Sequence, residues 1–448
     1  MMLCKTSIIC VVALVVSASI LDAQETLAIR AGTIVTAVSE PIKNGVILVR
    51  NGRVLEVGSE VQIPADARVL RYPSGVILPG LIECHSSAGL RVANENVGVV
   101  PYLTVLDGIN PKSDRFQDCL RDGVTTVHVI PGNATQIGGQ GAVLRPVGPI
   151  VDAMILKSPS AMKISVSPRG GNRMDHMSSL RRTFQNLYAH LEALAATKVE
   201  SPELPLSTPG DKTLSELLRP TLDWKKIDFD KIPEEKIETR RLPLVDLVRG
   251  KLPAFIYCER ASDIRHAFEV MDAYQIRATL VLGPDAHRAR DLLAGRENLG
   301  LVVLDATLEY YDRDLETGKD RRYLTARLLY EAGVKFAVQS QVGRRRSGVF
   351  PRNGAAHLWY QAATLVKQGL PRAEAVRTVT VNPARILGLD HRIGSIEKGK
   401  DANLAIFTGD AFDVRSWVDR VFVEGEEVYN RASDRDLKEL LRRKEKDF

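Results

Sequence analysis

Ala254-Phe255-Ile256-Tyr257, the stretch Ala261 to Ala273, and Ala278-Thr279-Leu280-Val281-Leu282 follow one another closely in this sequence. The first and third are short apolar runs of strand length. The second spaces its apolar residues at the helical period. A strand, a covering helix and a second strand make a crossover unit, whose two strands lie parallel in one sheet. Working outward, the same rhythm recurs. Val124-Thr125-Thr126-Val127-His128-Val129-Ile130, Leu301 to Leu304 and Val334 to Val338 read as further strands. Tyr323 to Glu331 and Ala355 to Lys367 read as helices. The middle of the chain is therefore an α/β unit of parallel strands under helices.

The ends differ. Leu27 to Val35, Asn44 to Val49 and Arg53 to Val57 read as strands, with Arg50-Asn51-Gly52 as a hairpin turn. A second β-rich block closes the chain: Ala402 to Phe407, Val418 to Val423 and Glu427-Val428-Tyr429, with Glu424-Gly425 as a turn. Two β-rich blocks around an α/β middle predict that the termini pair into one small sandwich. Residues 199–241, rich in Pro, Lys and Glu, break the rhythm and read as a surface insertion with the character of an exposed loop. From Asp434 the tail carries a charged, solvated helix pattern.

Composition sets outer limits. The chain has 448 residues, 44% hydrophobic and 26% charged, which excludes a disordered protein. The net charge of +6 is spread along the chain, without the basic stripe of a nucleic-acid binder. Lys5, the apolar run Ser7 to Ile20 and small Ala23 match a signal peptide over 1–23. No later run has the length of a span. The expectation is an exported protein, periplasmic or extracellular, without a stable membrane span. Cleavage would leave Cys84, Cys119 and Cys258, too few for a disulfide scaffold and each expected as a buried free thiol.

Two longer motifs carry a family resemblance. Gly75-Val76-Ile77-Leu78-Pro79-Gly80-Leu81-Ile82-Glu83-Cys84-His85 resembles the entry motif of the amidohydrolase superfamily. Thr380-Val381-Asn382-Pro383-Ala384-Arg385-Ile386-Leu387-Gly388, continuing through Gly394-Ser395-Ile396-Glu397-Lys398-Gly399-Lys400-Asp401-Ala402-Asn403-Leu404, resembles its C-terminal motif. Gly138-Gly139-Gln140-Gly141 is similar to a segment of the imidazolonepropionase-like branch. The resemblance covers nearly the whole mature chain. It implies a (β/α)8 TIM-like barrel over 76–391, joined to a composite β-sandwich from 27–75 and 392–430. A charged helix over 431–448 would follow.

The resemblance also implies metal-dependent hydrolysis of C–N and related bonds at the carboxyl ends of the barrel strands. A bound metal lowers the pKa of water to about 7 and so supplies hydroxide. In the family a His-x-His pair on the first strand holds that metal. Here the pair reads His85-Ser86-Ser87. The fourth-strand region, Met162-Lys163-Ile164-Ser165-Val166-Ser167-Pro168, offers no acid. The fifth-strand His position holds Tyr257, the sixth-strand one Leu282, and the eighth-strand Asp position Gln341. A Gln does not ionise near neutrality and cannot act as the general base.

His85 thus reads as a hydrogen-bonded leftover of a metal site, with His128, at a strand end, as a second weak metal candidate. Glu259 and Asp305 are weak catalytic candidates, and a relocated site from His85, His128, Glu259 and Asp305 stays open. Tyr257, Gln341, Arg344, Arg345 and Arg346 are candidate ligand contacts at the barrel mouth, where Arg side chains suit an anion. Gly138-Gly139-Gln140-Gly141 lacks the Lys-Ser/Thr of a phosphate loop and reads as a tight turn, and no Gly-x-Ser-x-Gly elbow is present. Two functions remain. One is a non-catalytic member that needs no cofactor, binding a small molecule or pairing with its own copy or an active relative. The other is a C–N hydrolase with an unusual or single-metal zinc site.

Overall fold

A computed structural model describes residues 26–167, 172–195, 224, 227–229, 232–340 and 357–446. The expected signal peptide, residues 199–223 of the expected insertion, and Gln341, Arg344, Arg345 and Arg346 lie outside the described residues.

The chain opens with four strands: β1 Leu27–Ile34, β2 Ile42–Arg50, β3 Arg53–Gly58 and β4 Arg68–Pro79. The β2–β3 turn uses Asn51 and Gly52 at φ of 55° and 72°, as the Asn-Gly signal requires. Barrel strands follow directly: β5 Leu81–Ser86 and β6 Val124–Val129. Three short strands come next, β7 Ile137–Gln140, β8 Ala142–Leu144 and β9 Ile155–Lys157. The series β10 Met162–Ser165, β11 Ala254–Cys258, β12 Ala278–Leu282 and β13 Val302–Leu304 is then followed by a hairpin, β14 Glu309–Arg313 with β15 Asp320–Leu324, and by β16 Phe336–Val338. The chain closes with β17 Leu404–Phe407, β18 Val418–Val423 and β19 Glu426–Asn430.

Strands from the two ends share one seven-stranded sheet, ordered β19-β18-β17-β4-β1-β2-β3. The junction is antiparallel, Leu404 opposite Pro79 through Phe407 opposite Val76. One face packs Ile29, Ile47, Ile77, Leu404 and Phe422 together, and the other packs Ala28, Val46 and Leu48.

The middle is a TIM-like barrel. Among the described residues it has seven parallel strands in two sheets, β5-β6 and β10-β11-β12-β13-β16. The third position is filled by the antiparallel segment β7–β8 in place of an eighth parallel strand: β7 pairs with β10, β8 pairs with β6, and Gly141 passes the chain from one sheet to the other. There Gly141 N donates to Ala161 O at 2.9 Å. The Gly138–Gly141 stretch, read from sequence as a tight turn, is this sheet-to-sheet bridge. At the other gap, Ile82 N donates to Val379 O (2.9 Å) and Val338 N to Thr378 O (3.2 Å). Alternate residues Ile82, Cys84, Ala161, Phe255, Val281, Val303 and Ala337 fill the barrel interior. Their neighbours Leu81, Val127, Ile164, Ile256, Leu280 and Val338 meet helices such as Ala261–Tyr274 and Leu358–Lys367.

Two details differ from the sequence reading. Tyr323 lies in β15, and the helix begins only at Thr325. The end of the expected loop insertion is packed: Trp224, Ile227, Ile232 and Ile237 are buried, with the Trp224 ring edge-on to Tyr188 and Tyr274. A Pro- and Lys-rich composition hid these widely spaced apolar anchors. The three cysteines are free and buried, with Cys84 and Cys258 thiols pushed up by burial. Among the described residues, no helix is long and apolar enough to cross a membrane.

Candidate functional site

The barrel mouth holds a polar group built from four strands and one loop. In β5 the register against β6 shifts between Glu83 and Ser86. Such a bulge re-aims side chains next to a site. After interior Ile82 and Cys84 it brings His85, buried at 6% exposure, inward as well. Its Nδ1 donates to Gln339 Oε1 from the end of β16 at 2.7 Å, and its Nε2 accepts from Lys163 Nζ of β10 at 3.0 Å. This pattern places the His85 proton on Nδ1, with the Lys163 nitrogen as the donor to Nε2. Lys163 is fully buried, also donates to Asn133 Oδ1 at 2.5 Å, and lies 5.3 Å from the centre of the Tyr257 ring of β11. Gln339 Nε2 has no partner among the described residues. Beneath this group the Phe255 ring runs parallel to His85 at 6.4 Å.

Beside it, Glu83 Oε2 accepts from the backbone N of Ser340, at 2.9 Å, and from its hydroxyl. This bond ties the first strand to the end of the last across the gap between the two sheets.

The other candidates fall elsewhere. His128 is fully buried below the mouth, its Nδ1 donating to Cys84 O (2.9 Å) and its Nε2 accepting from Ser160 Oγ (2.8 Å). Burial pulls its pKa down to about 4, so it is neutral and fully engaged, which removes it as a metal candidate. Glu259 is exposed beyond the end of β11, and does not share the inward face with Tyr257. Asp305 is buried and its Oδ1 accepts from Thr307 N, a turn at the end of β13. His85, His128, Glu259 and Asp305 do not converge: no three His, Cys, Asp or Glu among the described residues could hold a metal ion together. Ser87 is half-buried and its carbonyl accepts from Leu90 N. Leu282 faces the helices, not the mouth, as part of the outer core. The next residue is Gly283, where a Cβ would meet the Glu259 carbonyl oxygen at 1.8 Å. No side chain of any kind fits at that point of the sixth strand.

Sequence reasoning missed Lys163, Gln339 and Asn133. A lysine inside the run Met162-Lys163-Ile164 was the available signal, because lysine is almost never fully buried unless paired. Gln339 shares the inward face with Ala337, two residues before Gln341, and only its hydrogen bond to His85 marks it.

Residues 319–428 match the model of the amidohydrolase family. The chain is 22% identical to the amidohydrolase tasK of Hapsidospora irregularis, over 85% of this chain and 39% of that protein, so it spans well under half of that relative. It is 24% identical to the imidazolonepropionase of Brucella anthropi, over 82% of this chain and 87% of the other. The amidohydrolase of Thermotoga maritima MSB8 superposes with a TM-score of 0.71 at 28% identity, covering 90% of this chain and all of that one. The chain is thus similar to the amidohydrolase superfamily, and imidazolonepropionases are among the relatives that it matches over most of its length.

Among the described residues, the donor set does not fit the metal that the amidohydrolase family usually binds. Catalytic zinc takes about three protein ligands, each with a free lone pair. Here both ring nitrogens of His85 are committed, and the atom facing its Nε2 is the donating Lys163 nitrogen. A cation in that place would have to displace the Lys163 nitrogen from its hydrogen bond to His85. Tyr257 and Ser87 are poor neutral donors, and Gly283 offers none.

Proposed function

We propose that this chain is an exported, non-catalytic member of the amidohydrolase superfamily that binds a small molecule at the barrel mouth. The observation that carries the reading is the Lys163–His85–Gln339 chain of hydrogen bonds, which closes the first-strand histidine to a metal. A buried lysine N–H donor next to a neutral imidazole and a Tyr ring favours a ligand that brings an anionic or carbonyl oxygen. The apolar run Ser7 to Ile20 supports export.

The test is metal content together with ligand binding. Purified mature protein, dialysed free of loosely held ions, is expected to contain far less than one zinc, manganese or iron per chain. Added metal is expected to leave hydrolysis of cyclic amides and dipeptides at background. Stoichiometric metal that disappears in His85→Ala, with turnover lost alongside, would refute the reading.

One observation favours the second reading, a hydrolase with an unusual zinc site. Lys163 lies on the fourth strand, where the family places a carboxylate or carboxylated lysine. An intact mass raised by one carbon dioxide, lost in Lys163→Met, together with bound zinc, would establish that reading instead.

A further inference from the structure

A separate cavity of about 320 Å³ lies between the segment after β12 and the β14–β15 hairpin, lined by His287, Arg288, Arg290, Asp291, Asp312 and Tyr323. Both segments follow barrel strands, so the cavity sits on the face where such barrels place their functional loops. Its volume is in the range of small-molecule sites, which start near ~300 Å³.

The state of His287 can be read from its neighbours. The Thr325 hydroxyl donates to Pro284 O at 2.6 Å, so its oxygen is left to accept from His287 Nδ1 at 3.1 Å. The proton is thereby held on Nδ1, and Nε2 is a bare acceptor. That Nε2 has no hydrogen-bond partner among the described residues, although the residue is only 4% exposed. The ring cannot turn away easily, because it stacks on Tyr323 at 4.6 Å and leans on Tyr310 at 5.6 Å. Burial, and then the Arg288 charge, hold its pKa below the ordinary value, so it stays neutral at physiological pH. A buried acceptor without a donor is costly and calls for a ligand group that supplies one.

The charges select the ligand further. Arg288 pairs with Asp312 through Oδ2, and among the described residues Oδ1 is left for another donor. The Arg290 Nε lies 3.6 Å from Asp291, and its side chain is about half exposed at 46%. The lining thus presents two guanidiniums and two carboxylates. A ligand of one sign meets a like charge on one wall, and a ligand with both signs meets its complement on each.

We propose that this cavity binds a free α-amino acid, its ammonium donating to His287 Nε2 and Asp312, and its carboxylate accepting from the Arg290 guanidinium. The ammonium supplies the proton donor that Nε2 lacks. The guanidinium fork suits a carboxylate. The site is independent of Lys163 and His85, so it stands or falls separately from the reading of the mouth.

The experiment is saturation-transfer NMR on the mature full chain with L-alanine, and with acetate and ethylamine as single-charge controls. L-Alanine is expected to bind saturably, and both controls at least tenfold more weakly. Arg290→Gln is expected to weaken L-alanine at least tenfold with an unchanged melting temperature. His287→Phe keeps the ring on Tyr323 and removes the acceptor, with the same expected loss. If that variant fails to fold, Arg290→Gln alone decides. Acetate or ethylamine binding as tightly as L-alanine, unchanged binding in Arg290→Gln, or no saturable L-alanine signal would each overturn the proposal.

Discussion

Lys163 and His128 show how two buried ionisable side chains depend on the groups around them. The Lys163 nitrogen is held by two acceptors, His85 Nε2 and Asn133 Oδ1. Removing one acceptor from such a group leaves part of it unsatisfied, at roughly 1–3 kcal/mol. His85→Ala is therefore expected to lower the urea midpoint by that order while leaving metal content unchanged, because the histidine props the lysine and holds no ion. His128 is the opposite case. Its folded pKa is depressed to about 4, below the unfolded value of about 6.5, so the unfolded state binds the proton first. Its contribution is fully present above about pH 6.5 and is lost as the pH falls toward 4, on the order of 3 kcal/mol in total. Denaturant melts at stepped pH values are expected to show this loss, and His128→Gln is expected to lack the corresponding slope. Equal pH slopes in the two proteins would remove His128 as the cause.

At the scale of elements, the strands that build the mouth were legible from short apolar runs, and their departures from regularity were not. The bulge between Glu83 and Ser86 decides that His85 joins the interior, and nothing in Ile82-Glu83-Cys84-His85 announces it. Gly283 is similar. In the sequence it looks like the punctuation after a strand, while in the fold it marks where the sixth strand passes against the Glu259 backbone. Gly283→Ala would force a Cβ into that carbonyl, and overpacking of this kind costs about 3 kcal/mol or more. The expected outcome is a clear fall in melting temperature, with loss of soluble protein at 37 °C as the stronger form. An unchanged melting temperature would mean that β11 and β12 can part at their ends. The hairpin β14–β15 escaped the reading because Tyr310, Tyr311 and Tyr323 sit among charged residues with no regular alternation and a helix follows at once. Cross-strand pairing, such as Glu309 with Arg322, becomes visible only when the two runs are laid side by side.

Across the whole molecule, the seven-stranded sheet makes the two termini one folding unit around the barrel. β4 carries β1 on one edge and β17 on the other, so loss of β17–β19 would leave β4 and the Ile77 and Leu78 side chains beside it uncovered. A chain ending before Ala402 is expected to be recovered as aggregate on size exclusion, and a monodisperse peak for it would show that the terminal strands are dispensable. The strand–helix alternation, the β-rich ends, the two family motifs and the loss of the second histidine at Ser87 could all be read from the sequence, because period and composition are local properties of a chain. The identity of what stands where the family holds its metal could not. Lys163, His85, Gln339 and Asn133 are far apart in sequence and meet only because the barrel closes β5 against β16 and brings β10 across from both. The same holds for the unsatisfied Nε2 of His287, whose tautomer follows from a threonine at the start of a helix and a proline carbonyl in the loop after β12. Local patterning determined which elements form. Contact between distant strand ends decided which side chains are charged, which are neutral, and which are left in need of a partner.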